Sequence, residues 1–244
     1  MKALLRWIGC VLLAGVALQL FFVLRIAAMA AIDPQSTSFQ RSEIWAQVAA
    51  GDGLHWRQEW LPYDRIADTL KRAVIASEDD GFVNHDGVDW TAVEKAWERN
   101  ARAEAHAARL QDAQPGRAAR PARIRGGSTI TQQLAKNLLL SGERTLLRKG
   151  QEFVLTLALE QLLSKQRILE IYLNSVEWGE GVFGAEAAAQ RYFRKSAAQL
   201  SAAEAARLAV MLPAPRRFEK SPGSAYLSGR TRVILGRMAS AELP

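Results

Sequence analysis

Five carboxylates lie within twelve residues in the segment 78–89, together with a histidine and two glycines. An acidic run is usually a solvated surface, but this one directly follows an apolar pattern with helical spacing. Phe82 returns the chain towards the core, which would leave Glu78 half-buried with a raised pKa. Glu78 is therefore a candidate general base. A calcium-binding EF-hand loop is the alternative, but its alternating acidic pattern is absent.

Residues 126–137, which read Gly-Gly-Ser-Thr-Ile-Thr-Gln-Gln-Leu-Ala-Lys-Asn, form a second candidate binding element. Glycine lets a backbone come close to another molecule, and Thr129 followed three residues later by Gln132 matches the capping box of a helix N-terminus. We expect a helix to begin at about Thr129. The free amides and the positive dipole end of its first turn would suit an anion.

Arg148, Lys149 and Glu152 share one helical face, because they lie three and four residues apart. As a surface ion pair they would contribute only a few tenths of a kcal/mol. The leucine-rich continuation of this helix indicates that it is buried on most sides, so its polar N-terminal residues are predicted to face a cleft. There the arginine fork and the lysine charge would hold phosphate oxygens.

Helices that are predicted from the spacing of apolar residues would hold these groups in place. This spacing recurs over residues 63–74, 166–174 and 202–212, while residues 177–184 are predicted to form a glycine-rich loop. Alternating strand patterns are absent from the sequence. The predicted fold class is therefore mainly α.

The N-terminus is predicted to be a membrane-spanning segment. Residues 7–24 are apolar except for Gln19, and Lys2 and Arg6 precede them. This length is close to that needed to cross a hydrocarbon layer of about 30 Å, with the basic end in the cytoplasm. A cleaved signal peptide is the alternative, with residues 28–30 as the cleavage site, but its apolar region is usually shorter. Both interpretations export the rest of the chain.

The predicted organisation has three parts. Residues 1–32 are a cytoplasmic stub and transmembrane anchor, residues 33–60 a juxtamembrane linker, and residues 61–244 the main domain. Within the domain, a helix to about residue 110 precedes a basic loop, and residues 98–125 contain seven arginines and three acids, a local charge of 7 − 3 = +4. Anionic lipid headgroups are one partner for this insertion at residues 99–125, and a role in solubility is the alternative. No nucleic-acid module is present.

Composition limits the other classes of site. The chain has 244 residues, of which 49% are hydrophobic, so it can bury a substantial core. Its single cysteine excludes internal disulfides and cysteine metal clusters. Its three histidines are unclustered, which argues against a zinc site. An oxygen-ligated magnesium ion remains open.

Four motifs in order resemble those of the bacterial peptidoglycan glycosyltransferase domain. They are Glu78-Asp79 with Phe82, His85 and Gly87; residues 127–137; Arg144 with Arg148, Lys149 and Glu152; and residues 167–174. The resemblance covers residues 61–217, and the size and single anchor most resemble monofunctional members that lack a penicillin-binding domain, since no SxxK or KTG motif is present. Two features depart from the family: the basic insertion is long, and Arg194 stands where glycine is expected.

This resemblance implies a lysozyme-like α domain and an inverting glycosyl transfer. The donor would be a growing glycan on undecaprenyl pyrophosphate, and the acceptor would be lipid II. Glu78 would deprotonate the acceptor 4-hydroxyl, and Lys136, Arg148 and Lys149 would stabilise the pyrophosphate. Glu152 would assist the leaving group or orient a phosphate-bound magnesium ion, although no cofactor is required.

The same resemblance implies the substrate-binding residues and the location. Sugar and phosphate oxygens would be bound by Ser128, Thr129, Gln132, Gln133 and Asn137, and the remaining substrate-binding set is Asp79, Phe82, His85 and Arg144. His85 is expected to shape the loop around Asp79. The protein would be a single-pass inner-membrane enzyme with its domain in the periplasm, beside other cell-wall synthesis proteins.

Two other functions stay open at this point. A membrane-anchored lytic hydrolase would use Glu78 as an acid, but hydrolysis of a glycan has no pyrophosphate for the nearby cations to neutralise. A non-catalytic envelope scaffold would not depend on Glu78 at all.

Overall fold

Helices dominate the structure, as predicted. The computed structural model of the chain describes residues 1–51, 53–113, 127–140, 142–143 and 145–244. The helices of these residues are α1 (Lys2–Ala28), α2 (Ser38–Ala50), α3 (Asp68–Glu78), α4 (Trp90–Ala113), α5 (Ile130–Leu139), α6 (Leu146–Leu162), α7 (Lys165–Ser175), α8 (Ala185–Phe193), α9 (Ala202–Met211), α10 (Pro215–Lys220) and α11 (Ala225–Arg237). Short 3₁₀ turns lie at Tyr63–Arg65, Phe82–Asn84, Ala197–Gln199 and Met238–Ser240.

A small sheet corrects the prediction of a loop at residues 177–184. Its strands are β1 (Arg57–Gln58), β2 (Glu177–Gly179) and β3 (Val182–Phe183), in the order β1-β3-β2. β3 pairs parallel with β1 and antiparallel with β2. Strands of two or three residues are too short to produce an alternating pattern. Gly181 makes the turn at φ +69°, and a Cβ there would lie 2.0 Å from the carbonyl oxygen of His55.

The core forms where α9 packs against both α3 and α11, and where α5 packs against α6 and α7. Trp178, Tyr172 and Phe82 are its largest fully buried side chains. The indole Nε1 of Trp178 donates a hydrogen bond to the carbonyl oxygen of Leu208 at 3.0 Å. This bond satisfies the one polar group of the largest buried side chain and ties β2 to α9.

The predicted linker at residues 33–60 contains α2 and β1 and packs on the main domain. Thr37 caps α2 in a capping box with Gln40. Gln40 is buried and donates to the carbonyl oxygen of Ser175 at 3.3 Å. The end of the membrane segment also joins the core, since Ile26 and Met29 are both buried. The polar residues at the start of this stretch cap a helix. The stretch is therefore not a free linker between the anchor and the main domain.

Helix α6 has a wide exposed apolar face, so the prediction that it is buried on most sides is wrong. Leu146 and Leu147 are 93% and 87% exposed, and Val154 is 49% exposed. Glu152, Leu155 and Leu159 face the interior instead. A high density of leucines indicates that a helix is shielded from water, but it does not show whether a protein core or a lipid layer shields it.

Helix α4 continues to Ala113, slightly beyond its predicted end near residue 110. The remainder of the predicted basic insertion, up to residue 125, lies outside the described residues, as does the glycine turn up to residue 126. The structure therefore supports the helical part of this prediction only.

Arg194 occupies the left-handed region with φ 57° and ψ 36° at the end of α8. This conformation explains why glycine is expected there, because a side chain in this region costs about 1–2 kcal/mol. The backbone amide of Arg194 still closes the helix by donating to the carbonyl oxygen of Gln190.

We predict that Arg194→Gly raises the free energy of unfolding by about 0.5–1 kcal/mol, since relief of strain exceeds the entropy cost of glycine. Thermal unfolding of the detergent-solubilised protein measures this difference. Arg194→Ala is the matched control, because it removes the long side chain and keeps the Cβ. Equal melting temperatures for the two variants would contradict a backbone origin.

Candidate active site

Glu78 is the last residue of α3, as the sequence predicted. Its Oε2 accepts a hydrogen bond from Gln133 Nε2 at 3.0 Å, and its Oε1 accepts one from Ser77 Oγ at 3.3 Å. Burial raises the pKa of Glu78, although the bonds from Gln133 and Ser77 oppose this effect. A carboxyl group held in this way takes up a proton more readily than a solvated glutamate does.

Tyr172 fixes the amide of Gln133. Its hydroxyl donates to Gln133 Oε1 at 3.0 Å, which leaves the amide NH₂ group of Gln133 to face Glu78. Burial, together with the charges of Glu78 and Asp79, holds the pKa of Tyr172 well above its usual value, so the phenol keeps its proton and remains a donor. Sequence analysis missed this role, because Tyr172 fitted the apolar spacing of its helix.

Asp79 links the loop after α3 to the start of α5. Its Oδ2 accepts from the backbone amide of Ile130 at 2.9 Å, and its Oδ1 lies 2.8 Å from His85 Nε2. The amide of Gly87 donates to His85 Nδ1 at 3.1 Å, so His85 carries its proton on Nε2 and donates to Asp79. The carboxylate of Asp79 is therefore the anion that the backbone amide of Ile130 binds at this helix N-terminus.

The predicted capping box is confirmed, and it changes how two predicted binding residues are interpreted. Thr129 and Gln132 bond each other's backbone, and the hydroxyl of Thr129 also donates to the carbonyl oxygen of Gly87 at 2.6 Å. Phe82 is 0% exposed and lies in the core rather than at a cleft surface. These three side chains build the frame around Asp79, and the structure does not present them as open ligand-binding groups.

Two clefts flank Gln133 and Glu78. One, of about 240 Å³, is lined by Glu78, Ser128, Arg99 and Arg237 among others. The other, of about 390 Å³, has four of the predicted binding residues in its wall, namely Gln133, Lys136, Asn137 and Arg148. The candidate base therefore lines the smaller cleft, and its hydrogen bond to Gln133 connects it to the larger cleft with Lys136 and Arg148.

The sequence analysis did not predict the two arginines of the smaller cleft. Arg99 comes from α4 and Arg237 from the end of α11, where it forms an ion pair with Asp80 at 3.0 Å. These residues are far apart in sequence, so only the tertiary fold brings them to Glu78. Arginine-rich composition near residue 99 was the one available signal.

Arg148, Lys149 and Glu152 lie together, as predicted. Arg148 Nη1 donates to Glu152 Oε2 at 2.9 Å, and Lys149 Nζ donates to Glu152 Oε1. Glu152 is 3% exposed, whereas Lys149 keeps half of its side chain exposed. Nε of Arg148 is buried and has no hydrogen-bond partner among the described residues. An unpaired buried donor of a cation at the wall of a cleft suits an anionic ligand. Arg144, the fourth member of this motif, lies outside the described residues.

Glu177 is a titratable group of the larger cleft that the sequence analysis did not single out. Its Oε1 accepts from Arg216 Nε at 2.9 Å, and the same guanidinium also bonds Glu43. Burial raises the pKa of Glu177 to about 7, although Arg216 lowers it. Two carboxylates thus share one arginine opposite the cationic wall.

Two carboxylates of the site, those of Glu152 and Asp79, are already bonded to other groups of the protein. Both oxygens of Glu152 are bonded to cationic side chains, and both oxygens of Asp79 are bonded to His85 and Ile130. Among the residues that the structure describes, no group of three or more histidine, cysteine, aspartate or glutamate side chains has the arrangement of a metal site. A cation at Glu152 would have to displace Arg148 or Lys149.

Comparison with known proteins agrees with this geometry. Residues 47–239 match the family described as Transglycosylase. The chain belongs to this family. A biosynthetic peptidoglycan transglycosylase of Herminiimonas arsenicoxydans is 51% identical, over 100% of this chain and 99% of the relative. Proteins with the same name in Paraburkholderia xenovorans and Bordetella pertussis are 49% and 48% identical, over 98% and 97% of this chain and 94% and 93% of theirs.

Membership of the transglycosylase family confirms the predicted lysozyme-like, mainly α fold and the class of enzyme. The matched region begins within α2, ahead of the predicted domain boundary at residue 61. This start agrees with the packing of α2 on α5.

We predict that Glu78→Gln stabilises the fold at neutral pH. Because the folded pKa of Glu78 lies above its unfolded value, the stability linked to this group is present at low pH and is lost as pH rises through the raised pKa. Glutamine keeps an acceptor for Gln133 and carries no charge. Melting temperatures from about pH 5 to about pH 8 should therefore diverge in favour of the variant as pH rises.

Glu98→Gln is the control for this measurement, since Glu98 is exposed on α4 and pairs with Arg102. A constant difference between wild type and Glu78→Gln across the pH range would contradict the raised pKa.

Proposed function

We propose that this transglycosylase polymerises the glycan of peptidoglycan. It transfers the growing glycan from undecaprenyl pyrophosphate to the 4-hydroxyl of lipid II, with inversion at the anomeric carbon. The names of its relatives support this substrate class. The observation that carries the proposal is the hydrogen bond from Gln133 to Glu78, because Gln133 lines the same cleft as Lys136 and Arg148 while Glu78 lines the neighbouring smaller cleft.

Glu78 acts as the general base. Burial raises its pKa, so the carboxylate takes the proton of the acceptor hydroxyl more readily than a solvated glutamate would. The Tyr172–Gln133 chain of hydrogen bonds keeps one oxygen of Glu78 fixed. Among the residues that the structure describes, the other oxygen bonds only the neighbouring hydroxyl of Ser77, at 3.3 Å, which an incoming hydroxyl can replace. The developing alkoxide then attacks the donor carbon from the face opposite the pyrophosphate.

The departing pyrophosphate is stabilised by Lys136, Arg148 and Lys149. Arg148 lines the larger cleft and has a buried Nε donor without a partner among the described residues. Glu152 neutralises part of this positive charge and holds both cations through its two carboxylate oxygens. We propose that these side chains replace a metal, because Glu152 already uses both oxygens. Ser128 and Asn137 are proposed to bind sugar and phosphate oxygens, as is Arg144, which the structure does not describe.

The protein is proposed to stay anchored in the inner membrane. Helix α1 is long and apolar enough to cross a bilayer, with a mean hydropathy of 2.4 over its most apolar window. Cleavage after residue 30 would remove Ile26 and Met29, which are buried in the main domain. Lys2 and Arg6 favour a cytoplasmic N-terminus. The catalytic domain is then periplasmic, where other cell-wall synthesis proteins are possible partners.

A lytic hydrolase of similar fold fits the cationic cleft less well. Hydrolysis of a glycan releases a sugar hydroxyl, so it offers no anionic leaving group to Arg148 and Lys149. A non-catalytic scaffold gives no reason for the buried chain of Tyr172, Gln133 and Glu78. Both functions remain outcomes of the tests below.

We predict that wild-type protein converts fluorescent lipid II into polymer and that Glu78→Gln loses at least about 100-fold in rate, because the general base is absent. Gel separation of the products in detergent measures this rate. Polymer from Glu78→Gln at the wild-type rate would rule out Glu78 as the general base. Absence of polymer from the wild type would favour the scaffold, and shortening of preformed glycan by the wild type would favour the hydrolase.

We predict that Arg148→Gln lowers kcat about 10- to 1000-fold, because a charge that stabilises the leaving group is lost. An excess of EDTA should leave the wild-type rate unchanged. Arg102→Gln is the matched control, since Arg102 is exposed on α4 and pairs with Glu98. Loss of wild-type activity in EDTA would contradict stabilisation by side chains alone.

A further inference from the structure

Helix α1 is joined to α6 by a reciprocal pair of amides. Gln19 Nε2 donates to Gln151 Oε1 at 2.8 Å, and Gln151 Nε2 donates to Gln19 Oε1 at 3.0 Å. Gln19 is the only amide in the apolar run of residues 7–24. An amide at that depth has no water to bond, so its pairing with another helix is directional and favourable. The contact therefore specifies one register between the anchor and the catalytic domain.

The partner of Gln19 belongs to the segment of α6 that carries the cations. Gln151 follows Arg148 by three residues and immediately precedes Glu152. The same turns of α6 expose Leu146 and Leu147, which are 93% and 87% exposed in the structure. Exposed leucines at the end of a helix are unfavourable in water and suit the edge of a lipid layer.

The depth of this contact follows from helix geometry. Gln19 lies five residues before Leu24, the end of the apolar run, which is about 7.5 Å along a helix axis. Gln151 is held at the same level. Arg148 precedes Gln151 by three residues, which is about 4.5 Å along the helix axis, so the first turn of α6 lies within about one turn of that level.

A second attachment holds the other end of the anchor. Arg167 Nε donates to the carbonyl oxygen of Met29 at 2.8 Å, and its Nη2 donates to Asp33 at 2.7 Å. Ile26, between the two attachments, is fully buried. Two separate points of contact fix the rotation and the depth of a helix, whereas a flexible tether fixes neither.

We propose that Gln19 and Gln151 are positioning residues that hold the cationic N-terminal turn of α6 at the level of the lipid pyrophosphates. This inference rests on the proposed function for its substrate. In this arrangement Arg148 and Lys149 reach the pyrophosphate while the lipid chain stays in the bilayer. The membrane helix is then a part of the active-site architecture.

The depth of α6 provides a direct test. A spin label is attached at Leu147→Cys in a Cys10→Ala background, and its accessibility to oxygen and to a water-soluble nickel chelate is measured in nanodiscs of phosphatidylglycerol and phosphatidylethanolamine. We expect Gln19→Leu and Gln151→Leu each to move the label towards water. Gln35→Leu is the matched control, since Gln35 is an exposed glutamine outside the span, and it should leave the label in place.

Kinetics provide a second test. Each single variant should raise KM for full-length lipid II in proteoliposomes about three- to tenfold with little change in kcat, because both hydrogen bonds of the interhelical amide pair are lost. With a short-chain lipid II analogue in detergent micelles, where depth is not fixed, the same variants should match the wild type. The double variant should lose no more than either single variant, because the two amides act as one unit.

An equal loss in bilayer and micelle would indicate a general folding defect and overturn the proposal. An unchanged label depth in both single variants would also overturn it. If wild-type protein makes no polymer in either medium, the proposed function fails, whereas the depth measurement still decides whether the amide pair positions α6.

Discussion

The hydrogen-bonded chain from Tyr172 through Gln133 to Glu78 is the interaction on which the site depends. It joins three helices, α7, α5 and α3, and it determines which oxygen of Glu78 stays fixed. Asp79 is committed to Ile130 and His85. Two adjacent carboxylates therefore have different partners: Glu78 has a raised pKa and accepts from Gln133, and Asp79 closes the helix N-terminus. This separation lets a single acidic motif supply both a base and the support that orients it.

The motif of residues 126–137 divides in the same way. Thr129 and Gln132 complete the capping box, while Gln133 and Lys136, further along the helix, reach the larger cleft. A polar side chain at a helix start satisfies the local backbone first. We therefore expect ligand contacts from the residues that follow the cap, such as Gln133 and Lys136. The capped start of the helix fixes where Gln133 lies relative to Glu78.

Signals that act over a few residues were read correctly from the sequence. The capping box predicted where α5 begins, and the apolar spacing predicted the helix that carries Glu78. Features set by tertiary contacts were not predictable. Arg99 and Arg237 meet only because α4 and α11 converge, and the strands at residues 177–183 depend on pairing with β1. The family resemblance implied that Phe82 binds substrate, whereas the apolar character of Phe82 predicted that it returns to the core, and it is fully buried there.

The exposed face of α6 connects the fold to the membrane. A soluble enzyme would bury Leu146 and Leu147, since two large apolar side chains in water cost about 1.5–3 kcal/mol each. Here they lie at the end of a helix that is paired with the anchor through Gln19 and Gln151. The opposite face of that helix carries Glu152 and the bonded cations. One helix thus presents lipid-compatible side chains on one side and, on the other, the cations that we propose to bind phosphate, which is the division that a substrate with a lipid chain and a pyrophosphate requires.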